Sequence, residues 1–184
     1  MGHYTDPPED NLLGLTDRHL LDEAEAEGVI RAENFLYDLP EETDFTVALL
    51  LDLHRAAFGR VYEWAGQYRR SNPNVGSFLP PPFQQVPTLL YQFADEVQHR
   101  QRLVGTQAEL AALLAYAHHR FVAIHPFTNG NGRTAQPAHQ FPGLSPRLPG
   151  TGLVPPRRRH RPRSVPDRHK SRKLRRLPGV GAAN

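Results

Sequence analysis

A histidine, two glycines and an arginine fall close together in the stretch Ile124-His125-Pro126-Phe127-Thr128-Asn129-Gly130-Asn131-Gly132-Arg133. Residues of these types at this spacing can build an anion site. Gly130 and Gly132 let backbone N–H groups approach a phosphate with no Cβ in the way. A helix starting near Asn131 would add its free N–H groups and its dipole. Arg133 would supply a forked cation for further phosphate oxygens, and His125 a base for a hydroxyl approaching that phosphate. The spacing alone fits equally a glycine turn between two helices, with a histidine in the last turn of the first.

The elements that must position these groups are helical. Gln107–Ile124 has Leu110, Leu113, Leu114, Ala117 and Phe121 at helical spacing and delivers His125 at its end. Asp44–Phe58 carries Val47, Leu50, Leu51 and Phe58 on one stripe, with His54 among them and Gly59 as the stop. Val86–Val104 repeats the pattern with Pro87 in its first turn. Asp17–Glu27 reads as a shorter helix, capped by Thr16 and ended by Gly28. Residues 64–82, rich in glycine, Asn-Pro and Pro-Pro-Pro, read as turns and extended chain with room for a hairpin, and Pro80–Pro82 as a stiff turn. The class is all-α. Within it, Trp64 reads as an aromatic of the core or of the base of that extended segment, His118 and His119 as ordinary helix histidines, and Arg69 and Arg70 as a solvated face or as contacts to an incoming ligand.

From His125 to Gln136 the chain resembles the core signature of the Fic (Fido) family, His-x-Phe-x-acid-Gly-Asn-Gly-Arg-x-x-Arg. Upstream, Val61-Tyr62-Glu63-Trp64-Ala65-Gly66-Gln67-Tyr68-Arg69 is similar to the segment leading into that family's substrate-binding flap. Glu25–Ile30 is similar to the subgroup called mobile mystery protein B. The resemblance covers roughly residues 20–136. It implies an all-α Fic-type helical bundle with a small β-hairpin flap, transferring AMP from ATP onto a Ser, Thr or Tyr hydroxyl of a target protein. ATP would be the co-substrate and Mg²⁺ the metal. By position, His125 resembles the general base and Phe127 the residue anchoring the loop in the core. Gly130, Asn131 and Gly132 correspond to the anion hole and Arg133 to the residue binding the outer phosphates. The subgroup implies a bacterial toxin-like protein with an antitoxin or other inhibitory partner.

Two positions depart from the signature. Asn129 stands where the family has its acidic metal ligand, and an amide oxygen lacks the carboxylate charge that Mg²⁺ sites use. Gln136 stands where the family has a second arginine. The family's inhibitory pattern, Ser or Thr, three residues, then Glu-Gly or Glu-Asn, is also absent: Glu27-Gly28 is preceded four positions earlier by Glu23. Built-in inhibition is therefore not assigned. The alternative to an enzyme is a catalytically impaired or truncated Fic-like protein, serving as a nucleotide-binding or toxin–antitoxin interaction module.

Charge divides the chain after Gln136. Residues 1–136 have a net charge of −8 and residues 137–184 one of +11, so the overall +3 describes neither part. The latter stretch holds nine prolines, ten arginines and one acid, with no helical or strand periodicity. Such a chain cannot bury enough apolar surface to offset its ordering entropy. It is expected to be a disordered Pro/Arg-rich tail, with three readings open: a basic arm for nucleic acid or an acidic partner, a tail without a specific role, or a stretch out of frame. In the family a long helix follows the glycine turn. Pro137 would interrupt it, so the Fic-like domain, 17–136, is expected to lack its C-terminal helices and to be loosely folded and weakly active. Residues 1–16 read as an irregular lead-in without a signal peptide, and no apolar stretch approaches the length of a membrane span. The expected setting is cytoplasmic. With no cysteine, disulfides, thiol nucleophiles and thiolate metal sites are excluded.

Overall fold

The computed structural model describes residues 11–40 and 42–136. The chain divides after Gly152 into two units, and every described residue belongs to the first. The expectations for residues 137–184, the interrupted helix at Pro137 included, lie outside the described residues, as do those for residues 1–10.

Five α-helices make up the described part: α1 Arg18–Tyr37, α2 Val47–Phe58, α3 Val86–Gln101, α4 Gln107–Ile124 and α5 Asn131–Ala135. A 3-10 turn, Phe83–Gln85, leads into α3. α1 packs on α2 and α3 on α4, while α5 touches both α4 and α2. The core they enclose runs from Leu21, Ala32 and Leu36 through Leu50, Leu53 and Phe58 to Leu90, Phe93, Phe121 and Phe127.

Caps explain several of the boundaries. Thr106 Oγ1 accepts from Glu109 N–H at 3.2 Å and the Glu109 carboxylate accepts from Thr106 N–H at 2.9 Å, a reciprocal capping box that fixes the start of α4. Thr46 Oγ1 accepts from Leu49 N–H, so α2 begins at Val47 and not at Asp44. The cap of α1 is Asp17, whose carboxylate accepts from His19 N–H at 2.7 Å, and not Thr16. α3 stops at Gln101, three residues before Val104.

Two further expectations are corrected. α1 does not stop at Gly28 but runs nine residues further, to Tyr37. Gly28 is buried where α1 crosses α2, and a Cβ there would sit 2.1 Å from the carbonyl oxygen of Ala57. Its lack of a side chain serves a close approach and not a helix end. Nor does the segment between α2 and α3 form a hairpin with strands: a single bridge pairs Val75 with Phe78, and no strand occurs among the described residues. Asn-Pro and Pro-Pro-Pro remove ladder donors there.

Candidate functional site

α4 ends by handing the chain to a left-handed residue. His125 has φ 53°, and its N–H still closes the last turn by donating to Phe121 O at 3.0 Å. It is the one non-glycine residue with positive φ among those described. The turn out of the helix brings Phe127 into the core with no exposed surface. Asn131 fixes it there: its Oδ1 accepts from Phe127 N–H at 2.8 Å and its Nδ2–H donates to Phe127 O at 2.9 Å. The anchoring expected of Phe127 is thus made by a side chain that sequence reasoning had placed in the anion hole.

Gly130 is held in the left-handed region at φ 76°, and a Cβ on it would meet the Phe58 ring at 2.5 Å. A Cβ on Gly132, in contrast, would meet nothing within 4 Å. The first helical bond of α5 runs from Thr134 N–H to Gly130 O at 2.9 Å. The N–H groups of Asn131, Gly132 and Arg133 precede that bond, at the end of the helix that attracts anions. Of these three residues Gly132 is exposed, Arg133 partly exposed and Asn131 buried. The Gly130 N–H is already used, donating to Asn129 Oδ1 at 2.7 Å.

Arg133 is not free. Its Nη1–H donates to Glu25 Oε2 at 2.6 Å, and the other oxygen of Glu25 accepts from the Tyr62 hydroxyl at 2.9 Å. The Glu25 side chain is 7% exposed and that of Arg133 33%. Burial first, and the Glu25 contact second, push the Tyr62 hydroxyl well above the usual phenol range. The sequence drew attention to Glu27, whose side chain is exposed and lies 3.9 Å from Arg31. The carboxylate that reaches the site is Glu25. Replacing it by Gln keeps an acceptor for Tyr62 but releases the cation. If Arg133 binds phosphates as the resemblance implies, Glu25→Gln is expected to tighten ATP binding roughly tenfold, since a charge-assisted competitor is removed. Calorimetric titration of both forms measures this, and unchanged affinity would place the phosphates away from Arg133.

His54, noticed in the sequence only as part of an apolar stripe, links the loop to the rest. Its Nδ1 accepts from Gly66 N–H at 2.8 Å, so its Nε2–H donates to Asn129 O at 3.1 Å. The ring stacks on Phe127 with centroids 3.7 Å apart. Burial lowers its pKa from 6.5 to about 4; the bond to Asn129 opposes the shift and the charge of Arg133 adds to it. The unfolded chain therefore binds more protons between these values, and stability is complete above about pH 6.5 and lost as pH falls through 4. The loss amounts to roughly 3 kcal/mol. Denaturant unfolding at pH 7, 5.5 and 4.5 reads it directly, and a His54→Phe chain with the same slope would refute the assignment.

His125 is partly exposed and its Nδ1–H faces Val122 O at a long 3.4 Å, leaving Nε2 as the lone-pair nitrogen. Burial, ahead of the other causes, holds its pKa below the ordinary histidine value. The Val122 carbonyl opposes this and the Arg69 charge reinforces it. Arg69 is not on a solvated face: it is 2% exposed and its Nε–H donates to His125 O at 2.7 Å. Arg70 is exposed and borders an open cleft of about 470 Å³ with Gln67, Tyr68 and Phe83. That cleft includes neither His125 nor residues 129–133. His118 and His119 are exposed on α4, and Trp64 stacks on Tyr62 at 4.5 Å.

The described residues hold no cluster of three or more His, Asp or Glu side chains able to bind a metal. No helix among them is long and apolar enough to cross a membrane.

A protein adenylyltransferase Fic from Aedes aegypti is 34% identical over 100 residues, which are 53% of this chain and 19% of that protein. One from Nematostella vectensis is 27% identical over 127 residues, 67% of this chain and 29% of that protein. The chain thus spans a fifth to less than a third of the length of these relatives. Among solved structures, the BepC effector protein of Bartonella tribocorum with bound AMPPNP superposes with a TM-score of 0.63 at 22% identity, covering 73% of this chain and 71% of that one. A Bartonella quintana Fic domain with bound ADP gives 0.61 at 22% identity, covering 77% and 73%. The Fic/DOC family model matches residues 44–140, just over half of the sequence, and the chain belongs to that family.

Proposed function

We propose that this chain carries the nucleotide-transfer site of a protein adenylyltransferase. His125 Nε2 would take the proton of a target hydroxyl while that oxygen forms a bond to the α-phosphorus of ATP. The bond from that phosphorus to the bridging oxygen breaks, and pyrophosphate leaves with the electron pair. The observation that carries this reading is that one short turn joins His125, at the end of α4, to the first N–H groups of α5, with burial lowering the His125 pKa and so favouring its neutral form. Charge growing on phosphate oxygens in the transition state is stabilised by preorganised N–H donors and by Arg133. Transfer from ATP labelled in turn at the α- and γ-phosphate tests it. Protein should acquire the α-label alone; γ-label on protein would mean phosphoryl transfer.

The residues present do not fit a protein-held Mg²⁺. The one side chain at the expected position is the Asn129 amide, whose oxygen is engaged by Gly130 N–H, and Mg²⁺ sites in phosphate chemistry use carboxylates. Asn129→Asp is expected to strengthen ATP binding in the presence of Mg²⁺ and not in EDTA. If aspartate binds no better with the metal, position 129 is not beside it.

A second reading, a nucleotide-binding module without transfer, is favoured by the same Asn129 contact together with the Glu25–Arg133 pair. It predicts saturable ATP binding with no labelled protein.

A further inference from the structure

Arg69 is a buried cation without a carboxylate. Its guanidinium is surrounded by oxygen dipoles: Nε–H donates to His125 O at 2.7 Å, and Nη1–H to Ser71 O at 2.8 Å and Asn72 Oδ1 at 3.4 Å. Nη2–H donates to Pro81 O at 2.5 Å, with Ile124 O further off at 3.5 Å. The backbone N–H of Arg69 donates to Pro126 O at 2.9 Å. One residue thus gathers three successive carbonyls, 124 to 126, at the C-terminus of an 18-residue helix, where the helix dipole is negative. It also gathers both arms of the loop that leaves at Ser71 and returns at Pro81.

We infer that Arg69 is a positioning residue for His125: it holds the left-handed backbone from which the imidazole projects, and it locks the 71–81 loop to that backbone. A left-handed non-glycine residue is uncommon, and a surrounding structure that holds it keeps it there. The fork geometry of arginine meets carbonyls from two directions at once, which the tetrahedral ammonium of lysine cannot reproduce. The Arg69 charge is also the charged group acting on the His125 ring, lowering its pKa. The inference rests on the proposed role of His125 as base, but part of its test needs no turnover.

The experiment is imidazole NMR of the full chain with labelled histidine, comparing wild type, Arg69→Gln and Arg69→Lys, together with ATP-dependent protein labelling at varied pH. His54 serves as the fold monitor, since its neutral Nε2–H form at pH 6 depends on burial. With His54 unchanged, the His125 titration should move up toward the ordinary value in Arg69→Gln, and its resonances should broaden in both variants. Labelling kcat should fall on the order of tenfold to a hundredfold with KM for ATP within about twofold, and the acid limb in Arg69→Gln should follow the NMR shift. An unmoved His125 signal, or a loss carried by KM, overturns the inference. So does loss of the neutral His54 form in both variants, which would make Arg69 a support of the whole fold. If His125 responds as expected while no form labels protein, the positioning of His125 stands and the transfer reading fails.

Discussion

Replacing His125 by Ala is expected to reduce AMP transfer on the order of 100-fold or more, while ATP binding stays near the wild-type level. In the proposed reading the phosphates would face the N–H donors of 131–133 and Arg133, and none of these depends on an imidazole at 125. What is lost is the acceptor for the hydroxyl proton, without which the attacking oxygen remains a poor nucleophile at neutral pH. The wild-type rate should also fall on the acid side as His125 protonates. Because burial and Arg69 hold its pKa below the ordinary histidine value, that fall begins at lower pH than for an exposed histidine. Labelled-ATP transfer to lysate proteins by both forms measures the first effect, and equal labelling would remove His125 from the chemistry.

Gly28→Ala carries the largest expected effect on stability. In an exposed helix interior this change gains up to about 1 kcal/mol from helix propensity. Here the new methyl would lie 2.1 Å from the Ala57 carbonyl oxygen and 3.0 Å from its carbon. The obstacle is backbone in the last turn of α2, which cannot swing aside as a side chain would. α1 must then lift off α2, giving up the packing of Leu21, Ala32 and Leu36 on one side of the core. A net loss of about 3 kcal/mol is expected, with a fall in Tm of roughly 10 °C. Since Glu25 lies on the same buried face, one turn before Gly28, the lift should also loosen its bond to Arg133. Urea unfolding decides the matter: a variant as stable as the wild type would mean that α1 rides freely on α2.

The two glycines at helix-breaking positions show what sequence reading could and could not recover. α4 was legible to the residue from its apolar spacing, and the Thr106–Glu109 box found in the structure fixes the same start. Gly59 does follow the last residue of α2. Gly28 has the same local look and the opposite role, decided by a carbonyl 29 positions away that no local pattern announces. Arg69 was misread for a similar reason. Its partners are carbonyls, and carbonyls have no residue identity, so a buried arginine without a nearby acid looks like a surface one. Glu25 did leave a signal. It shares the stripe Leu21, Glu25, Gly28, Ala32, Leu36, and a carboxylate on an otherwise small and apolar face needs a buried partner. The glycine turn itself was legible as a turn between two helices, whereas the use of Asn131 as a clamp on Phe127 depended on how the loop closes.

The stack of Trp64 on Tyr62 gives this protein an optical reporter of its own. Trp64 is the only tryptophan in the sequence, so its emission is unmixed. Its ring lies nearly parallel to Tyr62, at 13°, and 5.9 Å from His54. Tyr62 in turn holds the carboxylate that occupies Arg133. A polyphosphate that draws Arg133 away from Glu25 therefore changes the hydrogen bond of the ring on which the indole rests, and protonation of His54 places a charge beside that indole. The proposed binding of a polyphosphate and the protonation of His54 would each change the surroundings of that one indole, and its emission could follow both without any added dye.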